Sequence, residues 1–423
     1  MQIAILGRQA GLSLAELEAI YGDGSIRPVG DYACLVDIDT NLPQDRLGGT
    51  VKSAEVLTTL KRADLGKAFA YLKSKAKSLH AELPDGKLKI GFSIYGLRAK
   101  PTDLSKKALE FKKVLKASGR SVRIVEAKGL GLSAAQVLYN KLTAELGREV
   151  LILLDGSDVI IARTTGVQDI DDYSARDFAR PKRDARVGML PPKLAQIMIN
   201  MATGRWALDV GRWKTPDASV RSTERDSDLR GNSEGISDDG NGHTPRLLDP
   251  FCGTGVVLQE AALMGLSVYG SDIEKRMIDY TRDNLVWLED KYGLKADKFF
   301  EVADATDHIW RQPIDLIVCE GYLGQPFSTE PSREKLEDVR HTTGVIMRKF
   351  LSNIAGQLNP GTRLVIGAPV WFMGGRPHHL KMLDDLEDLG YNRLSFVRAS
   401  QKDLIYHRED QVVGRELLIL TRK

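Results

Sequence analysis

The chain has 423 residues, 42% of them hydrophobic, and a formal net charge of +3. That length allows two or three domains with sizeable cores. The near-neutral balance excludes any argument about partners from overall charge and leaves local clusters to decide. No apolar run reaches the length of a membrane span, and no basic stretch followed by a long apolar one opens the chain. A soluble, cytoplasmic protein with no membrane contact is therefore expected. Cys34, Cys252 and Cys319 stand far apart without CxxC spacing. They point to a reducing compartment and away from a zinc site or a disulfide framework.

In chain order, Ile3–Leu6 reads as a strand. Ser13 and Glu16 have the spacing of a capping box, which predicts a helix starting there. With a strand over Tyr32–Ile38, residues 1–60 make a small α+β unit, too small to stand alone. Residues 61–165 read as a second α+β unit. Helices are expected over Asp64–His80, Asp103–Ala117 and Ser133–Leu146, and strands over Leu88–Ile94, Val122–Val125, Glu149–Leu154 and Asp158–Thr164. Positive residues crowd this unit: Arg98, Lys100, Lys106, Lys107, Lys112, Lys113, Lys116, Arg120 and Arg123 are opposed only by Asp103 and Glu110. A lysine-rich helix face is often merely solvated, but density this lopsided also suits a nucleic-acid backbone.

A polar connector over residues 166–190 carries Arg176, Arg180, Lys182, Arg183 and Arg186 and is broken by Pro181. After Pro191 and Pro192, a helix over Lys193–Ala202 places Leu194, Ile197, Met198 and Met201 at helical spacing, a core pattern. Its place just before the next motif could let it cover a ligand there. Pro216–Thr244 is poor in apolar residues and rich in Ser, Asp, Gly and Arg, so it reads as a flexible insertion without a catalytic role.

Residues 191–423 hold the stretch around which the chain is organised. Leu247-Leu248 is a strand, Asp249-Pro250-Phe251-Cys252-Gly253-Thr254-Gly255 a tight turn, and Val256–Met264 a helix. Ser267–Gly270 is a second strand, ending in Asp272. Strand, glycine turn, helix, strand and acid form the β-α-β layout of a nucleotide-type site, with the acid placed to meet ribose hydroxyls. The turn is not GxGxxG. Asp249 at its mouth repels a phosphate and suits a cationic ligand. The string D-P-F-C-G-T-G resembles motif I of methyltransferases that use S-adenosyl-L-methionine (SAM), which implies that cofactor.

Downstream, strands are expected over Phe299–Val302, Ile314–Cys319 and Gly361–Gly367, and helices over Arg333–Leu358 and His379–Leu389. Arg393–Ala399 and Arg415–Thr421 read as a closing hairpin. The alternation predicts an α/β, Rossmann-like domain with a mostly parallel sheet covered on both faces. Asp304 follows the third strand, where ligands of such sheets bind, and is placed to take an adenine amino group; a lone Asp is also a common turn residue. The next strand ends at Val318-Cys319-Glu320-Gly321-Tyr322, where a methyl acceptor belongs. An exocyclic amine has its lone pair delocalised into the ring. A carboxylate such as Glu320 and a backbone carbonyl, accepting its two N–H bonds, would localise and aim that lone pair. An aromatic ring such as Tyr322 would stack on the base.

Taken together, LSLAELEAI near the N-terminus, the basic unit before Thr165, ARPKRDARVGMLPPKLAQIMINMA in the connector, and LLDPFCGTG with GSD resemble one family. It is that of the THUMP-domain RNA guanine N2-methyltransferases, especially the tRNA enzymes acting on guanosine 10. The resemblance implies a ferredoxin-like unit over 1–60, a THUMP domain over 61–165 that binds the tRNA acceptor end, a linker over 166–190, and a catalytic domain over 191–423. It implies that Asp249, Gly253 and Gly255 line the SAM pocket, with Asp272 at the ribose and Asp304 at the adenine; Phe251, Ile273 and Ala305 are further cofactor-binding candidates. Glu320 and Tyr322 fall at the acceptor site; Arg98, Lys100, Lys106, Lys107, Lys112, Lys113, Arg180, Lys182 and Arg183 are the candidates for tRNA. The family's acceptor motif is D-P-P-Y, whereas this chain has Glu320-Gly321-Tyr322-Leu323. Two other readings stand beside this one: a methyltransferase for another amine in rRNA or DNA, and a non-catalytic RNA-binding protein that lost the acceptor motif. A small activating subunit is left open.

Overall fold

The computed structural model describes residues 1–76, 78, 83–184, 190–204 and 244–423. They form two compact units, Met1–Ser174 and Ala175–Lys423. Apart from Thr244, the insertion expected over 216–244 lies outside the described residues.

In the first unit, β1 (Gln2–Leu6), β2 (Ile26–Val29), β3 (Ala33–Val36), β4 (Thr50–Leu60), β5 (Leu88–Tyr95), β6 (Val122–Val125), β7 (Gly147–Asp155) and β8 (Asp158–Val167) make one eight-stranded sheet. Its order is β2-β3-β1-β4-β8-β7-β5-β6. The pieces expected over 1–60 and 61–165 therefore share a sheet, joined where β4 pairs antiparallel with β8. Helix α1 runs Ala10–Tyr21, so Ser13 and Glu16 lie inside it and are no capping box. Both are buried and serve a tertiary contact instead. Ser13 Oγ donates to Gly49 O at 2.7 Å, and the Glu16 carboxylate accepts from the Gly48 and Gly49 amides at 2.9 and 2.8 Å.

Helix α2 (Leu65–Ser74) is capped by Asp64, whose side chain accepts from the Lys67 amide. Helix α3 (Pro101–Ala117) buries Leu104, Ala108, Phe111 and Leu115, one face at the helical period. Helix α4, expected to reach Leu146, covers only Ala134–Tyr139, because the chain turns at Lys141 with φ +53°.

In the second unit, β9 (Arg246–Asp249), β10 (Ser267–Asp272), β11 (Lys298–Val302), β12 (Leu316–Glu320), β13 (Arg363–Met373) and β17 (Val413–Arg422) build most of a nine-stranded sheet. Adding β15 (Tyr391–Arg393), its main path runs β11-β10-β9-β12-β13-β17-β15. The four pairings from β11 to β13 are parallel, and β17 is antiparallel to both β13 and β15. The last expected strand pair is thus a short β15 and a long β17 whose main partner is β13; residues 394–399 form no strand. The helix expected over His379–Leu389 is only a 3-10 stretch, Lys381–Asp385.

Helix α5 (Pro192–Thr203) is buried along its length and packs on β12, β13, β17 and α6 (Val256–Leu263). Helix α7 (Lys275–Tyr292) lies against β10 and β11. Helix α8 (Arg333–Ala355) puts Leu336, Met347, Phe350, Leu351 and Ile354 into one core with Leu248, Ile317, Cys319, Leu364 and Ile366. The chain moves outward from β9 through β10 to β11, then returns to the other side of β9 with β12. That reversal opens a crevice at the carboxyl ends of β9 and β12, where open α/β sheets bind ligands.

Candidate active site

A cavity of about 820 Å³ lies at this reversal, well within the range of ligand pockets. Asp249, Asp272 and Glu320 are the last residues of β9, β10 and β12, and Asp304 lies two residues past β11. Read across the sheet, the acids come in the order Asp304, Asp272, Asp249, Glu320. Four strand ends therefore bring together four acids that are up to 71 residues apart in the chain, and all four line the cavity. Phe251, Gly253, Ile273, Ala305 and Tyr322 line it too.

The turn after β9 is held by its neighbours. Gly253 has φ +50° and Gly255 φ +81°, conformations that favour glycine. Asp272 accepts from the Gly253 amide and from the Glu274 amide, each at 2.9 Å, so this acid clamps the glycine turn to the start of α7. Thr281 on α7 donates to Gly253 O at 2.8 Å. Gly255 does not line the cavity: it caps α6, and an added Cβ would come within 2.9 Å of Thr281. Of helix α5 no residue lines the cavity, so it supports the sheet rather than covering the ligand space; Leu190, just before it, does line the space.

The acids have different surroundings. Asp249 is buried and accepts one amide hydrogen, from Phe251 at 3.2 Å. Burial pushes its carboxyl well above the usual carboxylate range, and the nearby Asp272 and Glu320 add to that. Burial also raises Asp272, against the lowering effect of its two amide donors. Exposed Asp304 is held low, chiefly by the Thr306 amide, which donates to it at 2.9 Å.

Glu320 has a different kind of partner. Its Oε1 accepts from Arg415 Nε at 2.6 Å, with the two side chains 15% and 9% exposed. Among the described residues that line the cavity, Arg415 is the one Lys or Arg, set against Asp249, Asp272, Glu274, Asp304 and Glu320. Sequence reasoning missed it. It lies in a strand with no motif around it, and only the fold shows that β17 runs two strands from β12. Gln411, Val412 and Val413, which also line the cavity, were missed for the same reason.

The candidate RNA-binding residues divide. Arg98, Lys100, Lys106 and Lys113 are exposed, and Lys107 and Lys112 are partly exposed on α3. Arg183 is exposed and lies over the Phe178 ring at 4.9 Å. The Lys182 backbone is tied to Asn284 on α7 by two hydrogen bonds of 2.9 Å. Arg180 is a correction: it is buried, 3% exposed, and so presents no cation to a partner's surface. Arg120, counted in the basic cluster, is buried as well and donates to Leu83 O and Pro84 O.

Residues 243–406 match the family model for a methyltransferase domain. Three curated relatives carry names more specific than that. A protein of Methanothermobacter thermautotrophicus named tRNA (guanine(10)-N2)-dimethyltransferase is 38% identical over 152 residues, 36% of this chain and 37% of its own. One of Pyrococcus abyssi with the same name is 49% identical over 63 residues, 15% of this chain and 18% of its own. A "probable" enzyme of that name from Methanothermococcus thermolithotrophicus is 56% identical over 106 residues, 24% of this chain and 64% of its own. In each case the chain covers less than two thirds of the relative's length. Among the described residues no cluster of His, Cys, Asp and Glu could hold a metal ion, and no helix is long and apolar enough to cross a membrane.

Proposed function

We propose that this chain is a SAM-dependent methyltransferase acting on the exocyclic N2 amine of a guanosine in tRNA, with position 10 as the target suggested by the relatives' names. The observation that carries this reading is the convergence of Asp304, Asp272, Asp249 and Glu320 on one cavity at the switch point of a parallel sheet.

The residues fit the cofactor. A cavity lined by five acids and one cation suits a sulfonium, and a cation there would offset the buried Asp249 and the half-buried Asp272. Each Asp272 oxygen already accepts one amide hydrogen and has a lone pair left for a ribose hydroxyl. When bound, SAM would supply the electrophilic methyl group. The chain's part is then to aim an amine. Glu320 Oε1 is taken by Arg415, which leaves Oε2 to accept one amine N–H. Tyr322, 45% exposed at the cavity, offers a ring for a base to stack on.

In the first unit we read residues 1–60 as the ferredoxin-like part and 61–165 as the THUMP domain. The exposed lysines of α3 supply phosphate contacts there. The test is single-turnover transfer of labelled methyl from SAM to unmodified tRNA, with the product nucleoside identified. N2-methylguanosine is the expected product. Methylation of another amine, or SAM and tRNA binding without transfer, overturns the reading.

A further inference from the structure

We propose that Arg415 is the positioning residue of this site: it fixes the Glu320 carboxylate in the orientation that meets the target amine. The proposal rests on the reading of Glu320 given above. The backbone at Glu320 is pinned, since the residue pairs with Gly367 in the β12–β13 ladder and the Gly321 amide donates to Gly367 O at 3.0 Å. The side chain beyond it is not pinned by the backbone. A glutamate has three side-chain torsions, and the residue after it is a glycine, so the local sequence restrains the carboxylate weakly.

The restraint comes from two strands away. Arg415 is on β17, opposite Pro369 of β13 and Tyr406 of β16 (Ile405–Tyr406), so its backbone is held on both sides. Its side chain reaches over β13 to Glu320, and the residue in between is Gly367. A Cβ added to Gly367 would lie 3.8 Å from Glu320 Cα and 3.9 Å from Arg415 Cβ. These are ordinary contacts, as is Met198 Cε at 3.7 Å, so the glycine leaves room beside the pair without being required by it. The contact at 2.6 Å is made by Nε, the least mobile donor of a guanidinium. It occupies one carboxylate oxygen of a residue that lines the cavity and leaves the other for the amine. The pair is nearly buried, so its attraction is weakly screened. A misplacement of about 1 Å at such a group costs about a hundredfold in rate.

The experiment combines rates with a readout that needs no activity. In the full-length protein, the Arg415 Nε–H resonance in 1H–15N spectra should be shifted and slow to exchange, and should revert in Glu320→Ala. Arg415→Gln should cut single-turnover methyl transfer by about tenfold to a hundredfold, with SAM and tRNA affinities unchanged, and Arg415→Lys should recover part of the loss. Because Arg415 acts through Glu320, Arg415→Gln added to Glu320→Gln should cost nothing further. A merely structural role predicts additive losses and a lowered melting temperature in both Arg415 variants, and that result overturns the proposal. An Nε–H resonance indifferent to Glu320→Ala overturns it as well. Wild-type protein that shows the protected Nε–H but methylates no RNA overturns the methyltransferase reading and this role with it, while the ion pair stands.

Discussion

The two ends of the cavity hold their acids by different means. At the proposed cofactor end, Asp249, Asp272 and Asp304 accept backbone amides: Phe251, then Gly253 and Glu274, then Thr306. At the proposed acceptor end, Glu320 is held by a side chain 95 residues away, Arg415 Nε at 2.6 Å. Backbone amides restrain a short Asp through turns of two or three residues, with the Gly253 contact spanning one β-α-β unit. A longer Glu at a strand end, followed by glycine, has no such turn, and its side chain depends on the tertiary fold. The cofactor end is therefore built to keep its form under change elsewhere, and the acceptor end is the part that a distant substitution can alter.

The sharpest test of that contrast is Glu320→Gln, which keeps the size and gives up the charge. Methyl transfer is expected to fall about a hundredfold or more, as for losing one preorganised electrostatic contact, with SAM affinity unchanged in parallel calorimetry. A variant that matches wild type in transfer places the amine elsewhere. Next in size is Asp272→Ala, which removes the acceptor of the Gly253 amide in the glycine turn and of the Glu274 amide before α7, along with the proposed ribose contact. SAM binding should weaken by about 1.5–3 kcal/mol, the scale of hydrogen bonds to a charged group. Unchanged affinity in the folded variant would dissolve the distinction between the two ends.

A smaller and separate effect is expected when Lys106, Lys107, Lys112 and Lys113 are neutralised together. tRNA affinity should drop and its salt dependence flatten, because fewer counterions are released. SAM affinity should not move, since these lysines belong to the first unit. Wild-type affinity and salt slope would make them a solvated face.

The smallest effect concerns Asp249. Its folded carboxyl titrates above its unfolded value because it is buried. Such a group costs the ligand-free fold nothing below the ordinary carboxylate range, and stability is lost as pH rises from there through the raised folded value. Asp249→Asn should therefore melt higher than wild type at pH 8, by about 2–4 °C per kcal/mol relieved. The difference should vanish on acidification through the ordinary carboxylate range, and SAM binding should be weaker at pH 8. A melting difference that is the same at both ends of that range would show that the charge of Asp249 is not what the fold works against.

Much of the fold around β9, α6 and β10 could be read from residues alone, because its logic is local: strand, glycine turn, helix, strand and acid follow one another within Arg246–Asp272. Apolar periodicity likewise marked α5, whose Leu194, Ile197, Met198 and Met201 are all buried. Local patterns misled where a residue's partner lies far along the chain. Ser13 and Glu16 have capping spacing but bind the loop at Gly48 and Gly49. Arg180 and Arg120 belong to basic runs but are buried. Only the tertiary structure decided that β12 returns beside β9, that Glu320 thereby joins Asp249 and Asp272, and that Arg415 reaches it over Gly367. Turn and helix signals are set by forces between near neighbours, whereas strand order and the ion pairs across it are set by which elements the whole core can bury together.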